Sequence, residues 1–154
     1  MKRLLFICAL FAALNMKAAE PQNMPAPDSV TVFILNDECD LPMQPQLGAL
    51  LTRNHFVLTT FEEDAQIIVR AVNSVEYAGV IQGELYNLNE SYVNLELTFY
   101  DNATQELLYS YSVQQLRVLT PEKNSIEQTM AQCTRELFKR VQKELPKQLK
   151  SIHL

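Results

Sequence analysis

Hydrophobic and polar positions along residues 30–154 follow two periods, one typical of strands and one typical of helices. From residue 92 to residue 100, apolar and polar side chains alternate strictly, which predicts a strand with one buried face in an antiparallel sheet. Near the carboxyl end, apolar residues recur every three or four positions, which predicts a long amphipathic helix packed on a core. The same criteria predict strands at 30–35, 55–60, 65–75, 80–88, 92–100 and 107–118, and a first helix at 42–53.

Local signals predict where these elements begin and end. Asn54 suits a left-handed residue after the first helix, and the pair 89–90 suits the turn before the alternating strand. Thr120 is expected to cap the second helix, with Pro121 at its first position. Pro146 is expected to kink or end that helix because it lacks a backbone N–H.

The predicted order of elements is β-α-β-β-β-β-β-α, which defines the expected fold class. Two helices, one early and one at the end, can cover one face of a mostly antiparallel sheet. We therefore predict an α+β two-layer sandwich that forms a single domain over residues 30–154. The early strand–helix–strand unit predicts one parallel or crossed pair with a right-handed connection.

The amino end carries the pattern of an export signal. Lys2 and Arg3 precede an apolar run at 4–14, which suits a signal-peptide core and is short for a membrane span. We predict a signal peptide at 1–19, followed by a mobile proline-rich leader at 20–29. The alternative is an uncleaved membrane anchor. After cleavage no transmembrane segment is expected, and the protein is predicted to be exported, either periplasmic or secreted.

Charge changes this picture at the carboxyl end. The chain has a net charge of −5, which argues against nonspecific nucleic-acid binding. Residues 20–120 carry three bases and 14 acids, whereas residues 121–154 carry seven bases and four acids. Five of these bases are candidates for a partner-facing surface on the second helix: Lys139, Arg140, Lys143, Lys147 and Lys150. The alternative is a solvated helix end whose charges match the helix dipole.

Two cysteines remain after the predicted signal peptide. Cys39 and Cys133 are disulfide candidates, because an even number of cysteines in an oxidising compartment favours a bond. The alternative is two free, partly buried thiols.

Candidate chemistry is sparse. Only His55 and His153 are available as histidine ligands, and a zinc site needs three or four clustered ligands. No serine lies in a nucleophile elbow, and no nucleotide-binding fingerprint occurs. The acidic run at 36–40 lacks the glycine and the distal glutamate of a calcium loop. We therefore predict no catalytic residues, no metal site and no cofactor.

Three short segments carry a resemblance to a group of envelope proteins. They are residues 50–56 at the end of the first helix, residues 63–69 at the start of a strand, and the hairpin at 92–110. These segments resemble the small α/β domains of the TolB amino terminus, the curli-secretion lipoprotein and the lipoprotein activators of penicillin-binding proteins. Asn54 and Gln105 stand where those domains usually have glycine.

The resemblance implies a function in protein–protein contact within the envelope, with no catalytic residues to carry over. We therefore expect an exported, non-enzymatic accessory or interaction module whose partner is another envelope protein. The alternative is a small-ligand carrier, or an enzyme whose site assembles only in three dimensions. A closed apolar pocket lined by polar groups would favour that alternative.

Overall fold

A computed structural model describes residues 29–150 of the chain. The strands are β1 (Thr31–Cys39), β2 (Val57–Leu58), β3 (Ile67–Ile81), β4 (Leu88–Asp101) and β5 (Leu107–Pro121). The helices are α1 (Gln44–Arg53) and α2 (Ile126–Leu149), with a short 3-10 helix at Glu62–Asp64. The predicted signal peptide at 1–19 lies outside the described residues, as does the predicted leader apart from Ser29.

The five strands form one mixed sheet in the order β2-β1-β3-β4-β5. The strand β1 runs parallel to both β2 and β3, while β4 is antiparallel to its neighbours β3 and β5. The helices α1 and α2 contact each other and pack on the same face of the sheet, where they bury one continuous core. This arrangement confirms the predicted α+β sandwich with a mostly antiparallel sheet and two helices.

The core is built from the periodic residues that the sequence pattern marks. From β4 the alternating Val93, Leu95, Leu97 and Phe99 are buried, as the strict alternation predicts. From α2 the buried stripe consists of Cys133, Leu137, Val141, Leu145 and Leu149. Because one sheet face and one stripe of each helix supply these side chains, the opposite face of the sheet stays outside the core.

The described chain has five strands rather than the six predicted. Residues 80–88 do not form a strand of their own, because β3 and β4 stay paired from Ile67–Asp101 to Ile81–Leu88. A bulge near Gly79, whose φ is +133°, lets β3 continue where a break was expected. The turn therefore lies at 82–87, and the predicted turn pair 89–90 belongs to β4.

The predicted start of α2 is wrong, and Pro146 does not end the helix. Thr120 and Pro121 stay in β5, and Ser125 caps the helix by accepting from the Gln128 N–H in a capping box. The helix continues past Pro146 to Leu149, because Leu145 and Leu149 remain anchored in the core.

The first helix and its following turn also differ in detail from the prediction. The helix α1 begins at Gln44, and Asn54 has φ −101°, so it is not left-handed. The neighbouring His55 takes the left-handed conformation instead, with φ 69°. The strand predicted at 55–60 is reduced to Val57–Leu58, because only Thr31 and Val32 of β1 pair with it.

Candidate interaction surfaces

The centre of the sheet face opposite the helices is open and largely polar. Its exposed side chains include Arg70 and Ser74 of β3, Glu96 of β4, and Ser110 and Ser112 of β5. All of these except Arg70 line a depression of about 520 Å³ that is open to solvent and has a mixed polar and apolar lining, unlike the enclosed, mostly apolar pockets that hold small ligands. In the described part of the chain this face offers a broad polar surface rather than a closed pocket.

A second surface combines exposure with apolar character. It lies at the turn between β3 and β4 and at the start of α2, and we call it the hairpin end. Its side chains are Tyr77 (60% exposed), Val80 (44%), Leu85 (92%), Tyr86 (66%) and Ile126 (82%). Single exposed apolar residues are ordinary on protein surfaces, whereas several at one end of a molecule make that end a candidate interaction site.

Several polar contacts hold the hairpin end in shape. The Asn87 Nδ2 donates to Glu122 Oε2 at 2.8 Å, and the Glu122 N–H donates to the Asn87 carbonyl at 3.1 Å. This pair of bonds ties the hairpin turn to the segment before α2. On the other side of β3, the Val75 N–H donates to Asp40 Oδ2 at 2.8 Å. The apolar side chains are therefore displayed by a braced hairpin.

Gly83 allows the turn itself to close. A Cβ at this position would lie 2.4 Å from the Tyr86 carbonyl oxygen, which is closer than real Cβ atoms come to backbone. The turn that displays Leu85 and Tyr86 therefore depends on the absence of a side chain at residue 83.

A groove runs between the hairpin and the first turn of α2. It has a volume of about 460 Å³ and is open to solvent. Val75, Tyr77, Ile126 and Met130 supply its apolar surface. Acidic side chains stand exposed on the segments around the hairpin end: Asp40, Glu76, Glu84, Glu122 and Glu127. An apolar centre with a charged rim is the usual anatomy of a protein-binding surface.

Sequence reasoning missed the hairpin end. Residues 80–88 are predicted as a strand, and tyrosines on neighbouring strands of a sheet ordinarily pack across it. That packing holds for Tyr109, whose ring lies 5.8 Å from that of Phe99, and for the buried Tyr111. It does not hold for Tyr86, which lies in the turn. The closely spaced Gly79 and Gly83 were the available signal for a bulge and a turn.

The two cysteines are free thiols, and the predicted disulfide is not confirmed. The Cys39 Sγ donates to the Ala71 carbonyl at 3.1 Å, whereas Cys133 points into the core from α2. Partial burial, reinforced by Asp37 and Asp40, raises the pKa of Cys39. Burial likewise raises the pKa of Cys133. Both thiols are therefore poor nucleophiles at neutral pH.

The structure places all five predicted partner-facing bases on the solvent side of α2. Lys139, Arg140, Lys143, Lys147 and Lys150 are all exposed. Lys139 pairs with Glu136 at 2.7 Å, and Arg140 pairs with Glu144 at 3.1 Å.

Neither a cluster of metal ligands nor a membrane-spanning helix occurs within residues 29–150. No group of three or more His, Cys, Asp or Glu side chains in this range is arranged to hold a metal ion. In the acidic run at 36–40, Asp37 pairs with Arg70 at 2.8 Å and Asp40 accepts from a backbone N–H. No helix within the described range combines the length and apolar character needed to cross a membrane. His153 lies outside this range.

No family model matches the chain, and no curated protein is detectably similar to it in sequence. Several solved structures are similar in fold. A homolog of a neuraminyllactose-binding hemagglutinin from Helicobacter pylori aligns with a TM-score of 0.58 and 15% identity, covering 88% of this chain and 95% of that one. At this identity the likeness shows a shared fold alone.

Two weaker similarities are with lipoprotein B from Nitrosomonas europaea and the PelC dodecamer from Paraburkholderia phytofirmans. The first has a TM-score of 0.49 and 17% identity, covering 85% of this chain and 86% of that one. The second has a TM-score of 0.43 and 13% identity, covering 82% and 87%. Two further solved structures with TM-scores below 0.5 are a minor lipoprotein from Acinetobacter baumannii and a lipoprotein from Caulobacter crescentus. The resemblance to the TolB, curli-secretion and penicillin-binding-protein activator groups is not confirmed.

Proposed function

We propose that this chain is an exported, non-enzymatic interaction module of the bacterial envelope that contacts another envelope protein through its hairpin end. The proposal includes removal of residues 1–19 as a signal peptide and a single folded domain after the leader. The cluster of Tyr77, Val80, Leu85, Tyr86 and Ile126 carries the proposal, because large apolar side chains in solvent have a free-energy gain available on binding.

Burial of these side chains would supply part of the free energy of a specific contact. Fully burying a leucine or isoleucine side chain contributes about 1.5–3 kcal/mol. Aromatic residues are enriched at the centres of interfaces, and two of the exposed residues here are tyrosines. The bonds between Asn87 and Glu122 hold the turn in place, which reduces the entropy lost when a partner binds.

The non-enzymatic part of the proposal rests on the arrangement of chemical groups. Both thiols have raised pKa values, and among the described residues no hydrogen bond joins Glu96, the carboxylate on the open sheet face, to the hydroxyl groups beside it. The alternative of a ligand carrier has less support, because the depressions described above are open to solvent rather than enclosed.

Site-specific crosslinking in intact cells tests the proposal. A photoreactive amino acid at position 85 is expected to capture a defined envelope protein, whereas the same group at Thr104, exposed on the β4–β5 turn, is expected to capture none. In a chain that carries the crosslinker at position 77, Leu85→Ser is expected to reduce capture. In the same chain, Leu107→Ser, which changes an exposed leucine outside the hairpin end, is expected to preserve capture.

Equal capture from positions 85 and 104, or no effect of Leu85→Ser, would show that the hairpin end is not the contact surface. Circular dichroism of the purified Leu85→Ser variant serves as the folding control. If the variant is folded and stable, misfolding is excluded as the cause of reduced capture.

A further inference from the structure

The basic residues of α2 form a single straight stripe. With 100° per residue in an α-helix, the side chains of Lys139, Arg140, Lys143, Lys147 and Lys150 fall within an arc of about 100°. The arc is centred roughly opposite the buried stripe that contains Leu137, Val141 and Leu145. From residue 139 to residue 150 the stripe is about 16 Å long. We call these five residues the basic stripe.

Two members of the basic stripe form salt bridges within the described residues. Glu136 and Glu144 neutralise Lys139 and Arg140, and Glu144 also accepts from the Tyr111 hydroxyl at 2.9 Å. Among the residues that the structure describes, Lys143, Lys147 and Lys150 have no carboxylate within salt-bridge distance. They follow one another at spacings of four and three residues, so successive ammonium groups lie on one side of the helix.

The charge of the stripe contrasts with the rest of the fold. Residues 135–150 contain six bases and two acids, whereas residues 29–134 contain four bases and 14 acids. An anionic surface therefore attracts this part of α2 and repels the remainder. The difference fixes the orientation in which the protein would approach such a surface.

We infer that the basic stripe binds the anionic headgroups of a phospholipid membrane. Within residues 135–150 none of the large exposed apolar side chains occurs, since those lie elsewhere, as at Leu85 and Ile126. Protein interfaces are poor in lysine and have an apolar centre, so the stripe does not suit a protein partner. Headgroup binding requires only basic residues near the surface, with each contributing about a fivefold gain in partitioning.

A lipid surface also fits the position of the helix. The helix α2 forms part of the outer layer of the sandwich, and its charged side faces away from the core. A straight convex line of lysines can meet a plane along its full length. The inference concerns a different surface from the hairpin end, so either proposal can fail while the other holds.

Sedimentation of the full chain with vesicles tests the inference. We expect binding to vesicles of phosphatidylcholine with 30 mol% phosphatidylglycerol in excess of binding to pure phosphatidylcholine, with the excess lost as salt rises. The triple variant K143Q/K147Q/K150Q is expected to lower partitioning into the anionic vesicles about 100-fold. Residues 4–14 are unchanged in every variant, so they contribute equally to each measurement.

The control variant is R53Q/R117Q/K123Q, which removes three exposed bases outside residues 135–150 and changes the net charge equally. It is expected to retain most of the binding. Equal loss in the two triple variants would overturn the inference in favour of a net-charge effect. If the chain shows no preference for anionic vesicles but binds polyglutamate through the stripe, the membrane inference is overturned. An acidic protein would then be the partner of the stripe. The hairpin-end variant Leu85→Ser should leave vesicle binding unchanged.

Discussion

Asn73 shows how one side chain can determine the path of a loop. It is 2% exposed, and its Oδ1 accepts from the Leu41 N–H at 2.7 Å while its Nδ2 donates to the Leu41 carbonyl at 3.1 Å. These two bonds satisfy the main chain of a buried residue in the loop between β1 and α1. The hydrogen bonds to the backbone of Leu41 therefore explain why a polar residue occupies this buried strand position.

We expect Asn73→Ala to lower the free energy of unfolding by about 2–4 kcal/mol, because it leaves a buried N–H and a buried carbonyl unpaired. Urea denaturation monitored by circular dichroism measures this change. Asn94→Ala is the matched control, since Asn94 bonds to the Gln115 N–H at a position where water can replace it. Its expected cost is about 1 kcal/mol. Similar costs at the two positions would contradict the buried-clamp explanation.

At the scale of elements, the sequence pattern located the regular parts well and the junctions poorly. The strand at 92–100 and the α2 stripe from Cys133 to Leu145 were correctly predicted because alternation and helical spacing are local properties. The same spacing also predicted that Ile126 faces the core, which is wrong, since its side chain is exposed. Residues 65–75 and 80–81 join into one long strand because both segments pair with β4. The local sequence pattern contains no information about that pairing. The start of α2 moved from Thr120 to Ser125 for the same reason, since Thr120 pairs with Asn89.

The turn between β3 and β4 yields a prediction at this scale. Gly83→Ala places a Cβ 2.4 Å from the Tyr86 carbonyl oxygen, so the turn must shift. We expect a loss of about 1–3 kcal/mol in the free energy of unfolding, and amide chemical-shift changes concentrated at residues 82–87. Gln82→Ala, at the exposed neighbouring position, is expected to change neither the free energy of unfolding nor these chemical shifts. Shifts spread evenly over the sheet after Gly83→Ala would argue against a local steric cause.

At the scale of the whole molecule, the two layers divide the chain into a covered face and an open one. The environments of the two cysteines follow from this division. Cys133 lies in the core between α2 and the sheet, while Cys39 lies near the end of β1 and is partly exposed. The reactivity of Cys133 therefore reports on global unfolding, whereas the reactivity of Cys39 reports on local solvent access.

We expect alkylation of the native chain to modify Cys39 slowly and Cys133 only when the protein unfolds. Because its pKa is raised, Cys39 has less thiolate at pH 8 than an unfolded peptide, and its reaction rate should keep rising above the pH at which the peptide levels off. Peptide mapping by mass spectrometry assigns each adduct. Cys39→Ser should leave the protection of Cys133 intact, and a Cys39–Cys133 bond in unreduced protein would contradict this prediction.

The sequence by itself determined the α+β class, the core positions of β4 and α2, and the separation of acidic and basic regions. These properties arise from periodicity and composition, which are present in any short window of the chain. Only the tertiary structure decided the length of β3, the exposure of Leu85 and Tyr86, the clamp by Asn73 and the free thiols. Each of these depends on contacts between residues distant in sequence, and a local pattern contains no information about which distant segment will supply the partner.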